Sequence, residues 1–345
     1  MFNVSLTQGP FFLLTFFIRC SLVLFLILWH SASTMRNVIS ICILTLIFAT
    51  KIFSNEGLPP LDLGLSNILG GGSLRPSPGI YWFHYVQYYQ SNDVRDFSGN
   101  RIEGFGAFRA LYIIPSLVYQ SSYLFLGGEP GFTFYTAFSA YQKSTGNTDS
   151  QFDSSPPGIG DTTFGPYIQW RPILYKGEPL FIHRFEFDVN IPTGRNKLPE
   201  KYFNVGAGYF YLTPYWTATL YFQRYLALSW RIYYIWSGES HRTNIKAGDA
   251  INLNFSLDYE VKKDWWISFC GYYVKQFKNN RMCGEYIPDT KEQVLGLGPG
   301  VLYFVSDTFQ LLGYLYWETL AQNRTQGFNG AFRFIWHFDV HPLRD

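Results

Sequence analysis

Several things are scarce in this chain, and each scarcity closes a door. Only four of 345 residues are cysteine, too few for a disulfide framework. Cys20 and Cys42 fall in the first 54 residues, and Cys270 and Cys283 lie mid-strand and in a loop, so no bridge between that pair is expected. Charged side chains make up 15% of the chain and nearly cancel, 27 basic against 25 acidic, so nothing favours nucleic acid as a partner. No run beyond residue 55 stays apolar for the roughly 18 residues of a spanning helix. Any membrane-spanning structure there must be a closed β-barrel, because lipid tolerates no open sheet edge.

Aromatic residues, by contrast, are abundant: 26 Tyr, 33 Phe and 10 Trp, 20% of the chain. Barrels place such residues in an apolar outer band and in girdles at both membrane interfaces. Mean hydropathy is near zero at −0.03, which fits strands with one greasy and one wet face. The segment Ile251–Val261 shows the pattern most clearly. Ile251, Leu253, Phe255, Leu257, Tyr259 and Val261 alternate with Asn252, Asn254, Ser256, Asp258 and Glu260, the period of two that a β-strand imposes.

The first 54 residues differ in kind. Phe11–Trp29 is mostly apolar, and Met35-Arg36-Asn37 then opens a second basic-to-apolar pattern through Val38–Ala49. The second pattern has the layout of a secretory signal peptide starting at Met35, with cleavage near Thr50 or Ser54. A two-helix membrane anchor is the rival reading. Removing residues 1–54 takes away Arg19, Arg36 and Lys51, so 27 basic residues become 24 against 25 acidic, a formal charge of −1. Residues 55–78 are rich in leucine, with Gly70-Gly71-Gly72 and then Pro76 and Pro78. This stretch reads as a flexible segment beginning on the periplasmic side, either a plug for the barrel or a disordered tether.

Twelve strands are expected between residues 79 and 338: 79–89, 105–126, 131–141, 160–174, 180–192, 207–222, 228–237, 250–261, 265–277, 292–304, 308–320 and 328–338. The second is too long for one regular strand and contains Pro115, so a bulge or bend is expected there. Connections alternate short and long, as in outer-membrane barrels with short periplasmic turns, longer outer loops and both termini in the periplasm. The expected fold is therefore an all-β, transmembrane, antiparallel, up-and-down β-barrel in the outer membrane of a Gram-negative bacterium, followed by a tail at 339–345. Its expected partners are outer-membrane lipid and the barrel-assembly machinery.

The stretches Gly158-Ile-Gly-Asp-Thr-Thr-Phe-Gly-Pro-Tyr167, Phe187-Asp-Val-Asn-Ile-Pro-Thr-Gly-Arg-Asn196 and Thr243-Asn-Ile-Lys-Ala-Gly-Asp249 occur in order. Gly271-Tyr-Tyr-Val-Lys-Gln276 and Leu297-Gly-Pro-Gly300 follow them. The series, over residues 78–338, resembles the phenol-degradation meta-pathway family of outer-membrane proteins. That resemblance implies a barrel linked to uptake of aromatic or other hydrophobic compounds. The chain departs from common barrel endings, since Phe338 is followed by seven more residues.

Strand polarity marks the expected lumen: Arg171 on one strand, Arg184, Glu186, Asp188 and Asn190 on the next, then Arg231, then Asn252, Asn254, Asp258 and Glu260. Tyr314, Glu318 and Arg333 complete the set. These residues either pair across strands and fill the interior or line a solute path, and both readings stand. Gly296, Gly298 and Gly300 share one face of one strand, leaving room for a neighbouring backbone, an inserted segment or sharp curvature. No helix follows them, which argues against a phosphate-binding loop.

His241 beside Ser240 does not amount to a nucleophile–base pair, because no third orienting group is evident. His337 and His341 lack metal-ligand companions. The chain is expected to need no cofactor and to catalyse no reaction. The expected function is passive uptake of small hydrophobic or aromatic solutes, with a general narrow porin or a structural surface barrel as alternatives.

Overall fold

In a computed structural model the described residues are 57–71, 78–146, 154, 156–196 and 203–338. The leader 1–54 and the tail 339–345 lie outside them. Alternation of apolar and polar side chains yields twelve long strands. They are β1 (Gly79–Val94), β2 (Phe105–Gln120), β3 (Gly128–Gly146), β4 (Gly158–Trp170), β5 (Glu178–Ile191) and β6 (Tyr211–Gln223). Then come β7 (Leu226–Ser237), β8 (Ala250–Lys262), β9 (Trp265–Gln276), β10 (Gln293–Phe304), β11 (Phe309–Gln322) and β12 (Thr325–Phe338).

Every strand pairs antiparallel with its neighbours in sequence. β1 also pairs with β12, from Ile80 opposite Phe338 to Val94 opposite Thr325, and β4 bridges to β5. The sheet therefore closes on itself and leaves no edge, the condition for burying β backbone in lipid. Short strands decorate its ends: Ile173–Tyr175 extends one turn, and Ile245–Lys246, Arg281–Met282 and Glu285–Tyr286 build a small sheet from two long loops.

The polarity is that of a membrane barrel, with apolar side chains outside. Ile251 is 43% exposed while its neighbour Asn252 is 1% exposed. Rings gather near both ends of the wall: Trp265 stacks on Tyr303 at 4.2 Å near the short turns, and Trp317 meets Phe328 at 5.6 Å towards the long loops.

One expectation about strand shape is corrected, and the bulge expected on the second strand is found at another place. β2 ends at Gln120, and the sequence as far as Leu126 forms a turn closed by Phe125 and Gly128. Pro115 causes no bulge: the β1 register runs through it unbroken. The slip against β3 falls earlier, at Leu111/Tyr112. Cys270 and Cys283 are both free.

Residues 57–71 run through the lumen. The expectation that this segment enters from the short-turn side is reversed, because Gly57 and Leu58 bond Tyr209 and Glu292 at the long-loop ends. Gly71 bonds Thr219 near the short turns.

Candidate solute path

The interior divides into two halves of different chemistry. On β5 the period of two turns Ile182, Arg184, Glu186, Asp188 and Asn190 inward, and β7 turns Arg231 and Tyr233 inward. Arg184 pairs with Glu186, donates to the Thr133 hydroxyl at 2.8 Å and lies over the Tyr167 ring, 3.5 Å from its centre. Tyr215 donates to the same Glu186 carboxylate. Arg231 lies 4.6 Å over the Tyr215 ring.

Gly165 on β4 has no side chain to offer here, and none would fit. A Cβ there would stand 2.0 Å from Asp188 Oδ1 and 2.5 Å from Glu186 Oε1. This half of the lumen thus packs two arginines and two carboxylates on one arc of wall. The arc is only partly satisfied: each of the four side chains keeps one buried polar atom without a partner among the described residues, Arg184 Nε, Arg231 Nε, Glu186 Oε1 and Asp188 Oδ1.

The other half, built by β9–β12, turns Trp266, Cys270, Tyr272, Leu302, Leu312 and Tyr314 inward. Leu63, Leu65, Ile68 and Leu69 of the threading segment pack among them and are themselves buried. The glycine stripe on β10 makes the room: a Cβ on Gly300 would meet Ile68 and Cys270 at 2.9 Å. One on Gly298 would strike the backbone of β11.

Burying four aliphatic side chains stabilises the seated segment by roughly 1.5–3 kcal/mol each before chain entropy is counted. Its backbone is tied as well. Leu63 and Gly64 carbonyls accept from Asn329 and Tyr316 at 3.0 and 2.7 Å, and Leu69 N donates to Asp258 at 3.2 Å.

The segment also reaches the polar half, where Leu58 and Leu61 pack against the cluster of Tyr215, Tyr233 and Ile235, and Gly70 and Gly71 bond Thr217 and Thr219. Asp62 accepts from Tyr233 at 2.7 Å and lies 3.6 Å from Arg231. Its carbonyl accepts from Asn252 and Asn254 at 2.7 and 3.1 Å.

The residues picked out by strand polarity distribute as follows. Arg184, Glu186, Asp188, Asn190, Arg231, Asn252 and Asn254 converge on the polar arc. Asp258 holds Leu69 N and accepts from Ser229. Glu318 accepts from Tyr89 and Tyr272. Arg333 lies over Phe83 and Tyr85, with Tyr314 in the apolar cluster.

Two do not join the path. Arg171 falls beyond Trp170, where the strand has ended, and its largely exposed side chain pairs with Glu129 at 3.0 Å. Glu260 sits at the β8 turn and accepts from Asp264 N at 3.0 Å. The residues that strand polarity missed are Asp62, a lone acid in an apolar run, and the inward tyrosines Tyr135, Tyr211, Tyr215 and Tyr233. The acid's isolation among leucines was the available signal for the first, and their place on the inward phase for the others.

The fold recurs among solved structures. An outer membrane channel of the COG4313 group from Pseudomonas putida F1 superposes with a TM-score of 0.67 at 15% identity, over 81% of this chain and 100% of that one. The transport unit of the autotransporter AIDA-I from Escherichia coli gives 0.42 at 12% identity, over 79% and 95%. A deletion mutant of the TodX monoaromatic hydrocarbon channel gives 0.39 at 8%, over 82% and 96%. These last two resemble the chain only in coarse outline. No curated protein matches the sequence. The family model described as "Putative MetA-pathway of phenol degradation" matches residues 91–334, most of the chain and nearly the whole barrel, and the protein belongs to that family.

Proposed function

We propose that this outer-membrane barrel is a passive conduit for small hydrophobic or aromatic solutes, with its short turns in the periplasm. The observation that carries the reading is the division of the lumen. The threading segment fills the apolar half, and the remaining arc presents tyrosine rings beside paired charges. Twelve strands lie between the eight or so that fill with side chains and the sixteen or so that enclose an open aqueous channel, so a narrow path suits the size. Tyrosine faces can stack on an aromatic solute, and the mixed charge signs suit no strongly selective ion pore. Flux through such a path would follow the solute's own gradient.

The segment 57–71 acts in this reading as part of the constriction. The deciding experiment compares entry of phenol and of a small sugar into liposomes carrying the refolded protein, with protein-free liposomes as the leak control. Faster entry of phenol than leak, with the sugar unaffected, is the expected result. Equal acceleration of both would make the barrel a general narrow porin. Acceleration of neither would leave a structural barrel.

A further inference from the structure

The polar arc has one carboxylate more than it has cations. Arg184 pairs with Glu186 and Arg231 with Asp62, and among the described residues Asp188 has no ion pair. Yet Asp188 is 4% exposed, and its Oδ1, which crowds Gly165 together with Glu186 Oε1, faces another carboxyl and no donor group. A buried, unpaired carboxylate is costly unless a cation or a proton meets it.

Asp188 lines a chamber between the threading segment and the wall, together with Asp62, Tyr135, Tyr211, Tyr233 and Asn252. Asn252 is 1% exposed, and its Oδ1 is likewise without a partner. No basic side chain lines the chamber. It measures about 20 Å³ of space open to the centre of a water molecule, room for one or two waters or for one ammonium head. It lies towards the long-loop end, where a solute arriving from outside would first meet the constriction.

We propose that this chamber is a binding site for the protonated amino group of a small organic amine, with Asp188 as its counter-charge. Tyrosine faces beside a carboxylate and a free amide oxygen are the surroundings that stabilise an organic ammonium ion, by cation–π attraction and charge-assisted hydrogen bonds. The Asp62 carboxylate lies on the chamber's other side and is the part of the threading segment that an entering head must displace from Arg231. The proposal rests on the reading of the barrel as a conduit and names one solute class for it: amines carrying an aromatic or aliphatic body.

The test uses the refolded full chain in planar bilayers and liposomes at neutral pH, with three probes of one shape: benzylammonium, benzyl alcohol and benzoate. Reversal potentials in benzylammonium chloride and sodium benzoate gradients give the charged permeabilities, and liposome entry gives the neutral one. Wild-type protein is expected to pass benzylammonium about threefold better than benzoate, a modest preference because the lumen carries charges of both signs. Asp188→Asn should abolish that preference and Asp188→Glu should retain it.

No preference for benzylammonium in the wild type overturns the proposal, because Asp188 is then discharged by a proton shared with Glu186. So does a preference that survives Asp188→Asn. If benzyl alcohol still enters faster than leak in either case, the conduit stands without the amine site. If none of the three probes crosses, both readings fall. The wild-type comparison decides even if the asparagine variant does not fold.

Discussion

The two halves of the lumen solve one problem in opposite ways. A barrel whose outside faces lipid must fill or wet its inside. On β5 and β7 the inward residues satisfy one another through Arg184–Glu186 and the tyrosines around them. On β9–β12 the inward wall is mainly apolar, with Glu318, Asn329 and Arg333 set into it, and its apolar part cannot be left to water. The chain covers it with its own residues 57–71, whose leucines complete the cluster. Apolar wall calls for a lid that stays, whereas polar wall can be left partly open. The chamber lies on the polar side, and of the segment Pro60, Leu61 and Asp62 reach it, Asp62 with the only charge among them.

The largest effects should come from unpairing the polar half. Glu186→Ala leaves Arg184 buried without its carboxylate, and removing one partner of a buried pair costs about 3–5 kcal/mol. Unfolding in detergent by guanidinium should show it. Replacing both partners, as Arg184→Met with Glu186→Met, should restore most of the loss, since an apolar pair of similar volume is often neutral. A double variant as unstable as the single one would mean that the pair is not what stabilises this arc.

Overpacking comes next, and it can be applied to both halves at matching glycines. Gly300→Ala drives a methyl into Ile68 and Cys270, and Gly165→Ala drives one into Asp188 and Glu186. Each should cost about 1–3 kcal/mol, but the remedies differ. Ile68→Ala should relieve Gly300→Ala, because that clash is with a removable side chain. It should leave Gly165→Ala unimproved. Rescue of both by Ile68→Ala would show that the halves are mechanically one, and the division drawn between them would fail.

Much of this division could be read before any coordinates. Alternation at Ile251–Val261 fixes which face is wet, and the same period on β5 names Arg184, Glu186, Asp188 and Asn190 correctly as inward. The stripe at Gly296, Gly298 and Gly300 announces a close approach. What alternation cannot supply is where a strand stops: it carries Arg171 inward, although the strand ends one residue earlier.

Nor can alternation say which way a leucine-rich segment threads. That depends on bonds to Tyr209 and Glu292, which are more than 150 positions away in sequence. The partner of Asp62 is hidden for the same reason, since Tyr233 lies 171 positions on. Local sequence encodes the wall, and the occupant of the lumen is set by tertiary contacts.

The seating of that occupant predicts a covalent tie that leaves the conduit working. Ile68 and the native Cys270 both crowd the place of a Gly300 Cβ, so Ile68→Cys places a second thiol beside the first. Oxidation should lock the segment to β9. If the segment is a fixed lid over apolar wall, phenol entry into liposomes should change less than about twofold between oxidised and reduced protein. Loss of entry that returns on reduction would show instead that the segment must leave its half for solute to pass, which would make it a mobile plug.

The smallest effect sharpens the comparison by taking an ion pair out of the lumen altogether. Lys278 and Asp249 pair at the foot of the long loops. Burial works against charge on Asp249, but hydrogen bonds from Lys278 and Tyr234 hold its carboxyl below the ordinary aspartate range. A carboxyl with a depressed folded value contributes stability above its unfolded value of about 3.9 and loses it as pH falls through the lower folded one. Amides of residues 277–292 should therefore lose protection, measured against their intrinsic exchange rates, below about pH 4, with the strands unaffected. Added salt should mimic part of this for the exposed lysine, because its charge is screened, and should leave the buried Arg184–Glu186 arc unmoved. Equal salt sensitivity at the two places would mean that water reaches the polar half freely, and the narrow path inferred there would have to be a wide one.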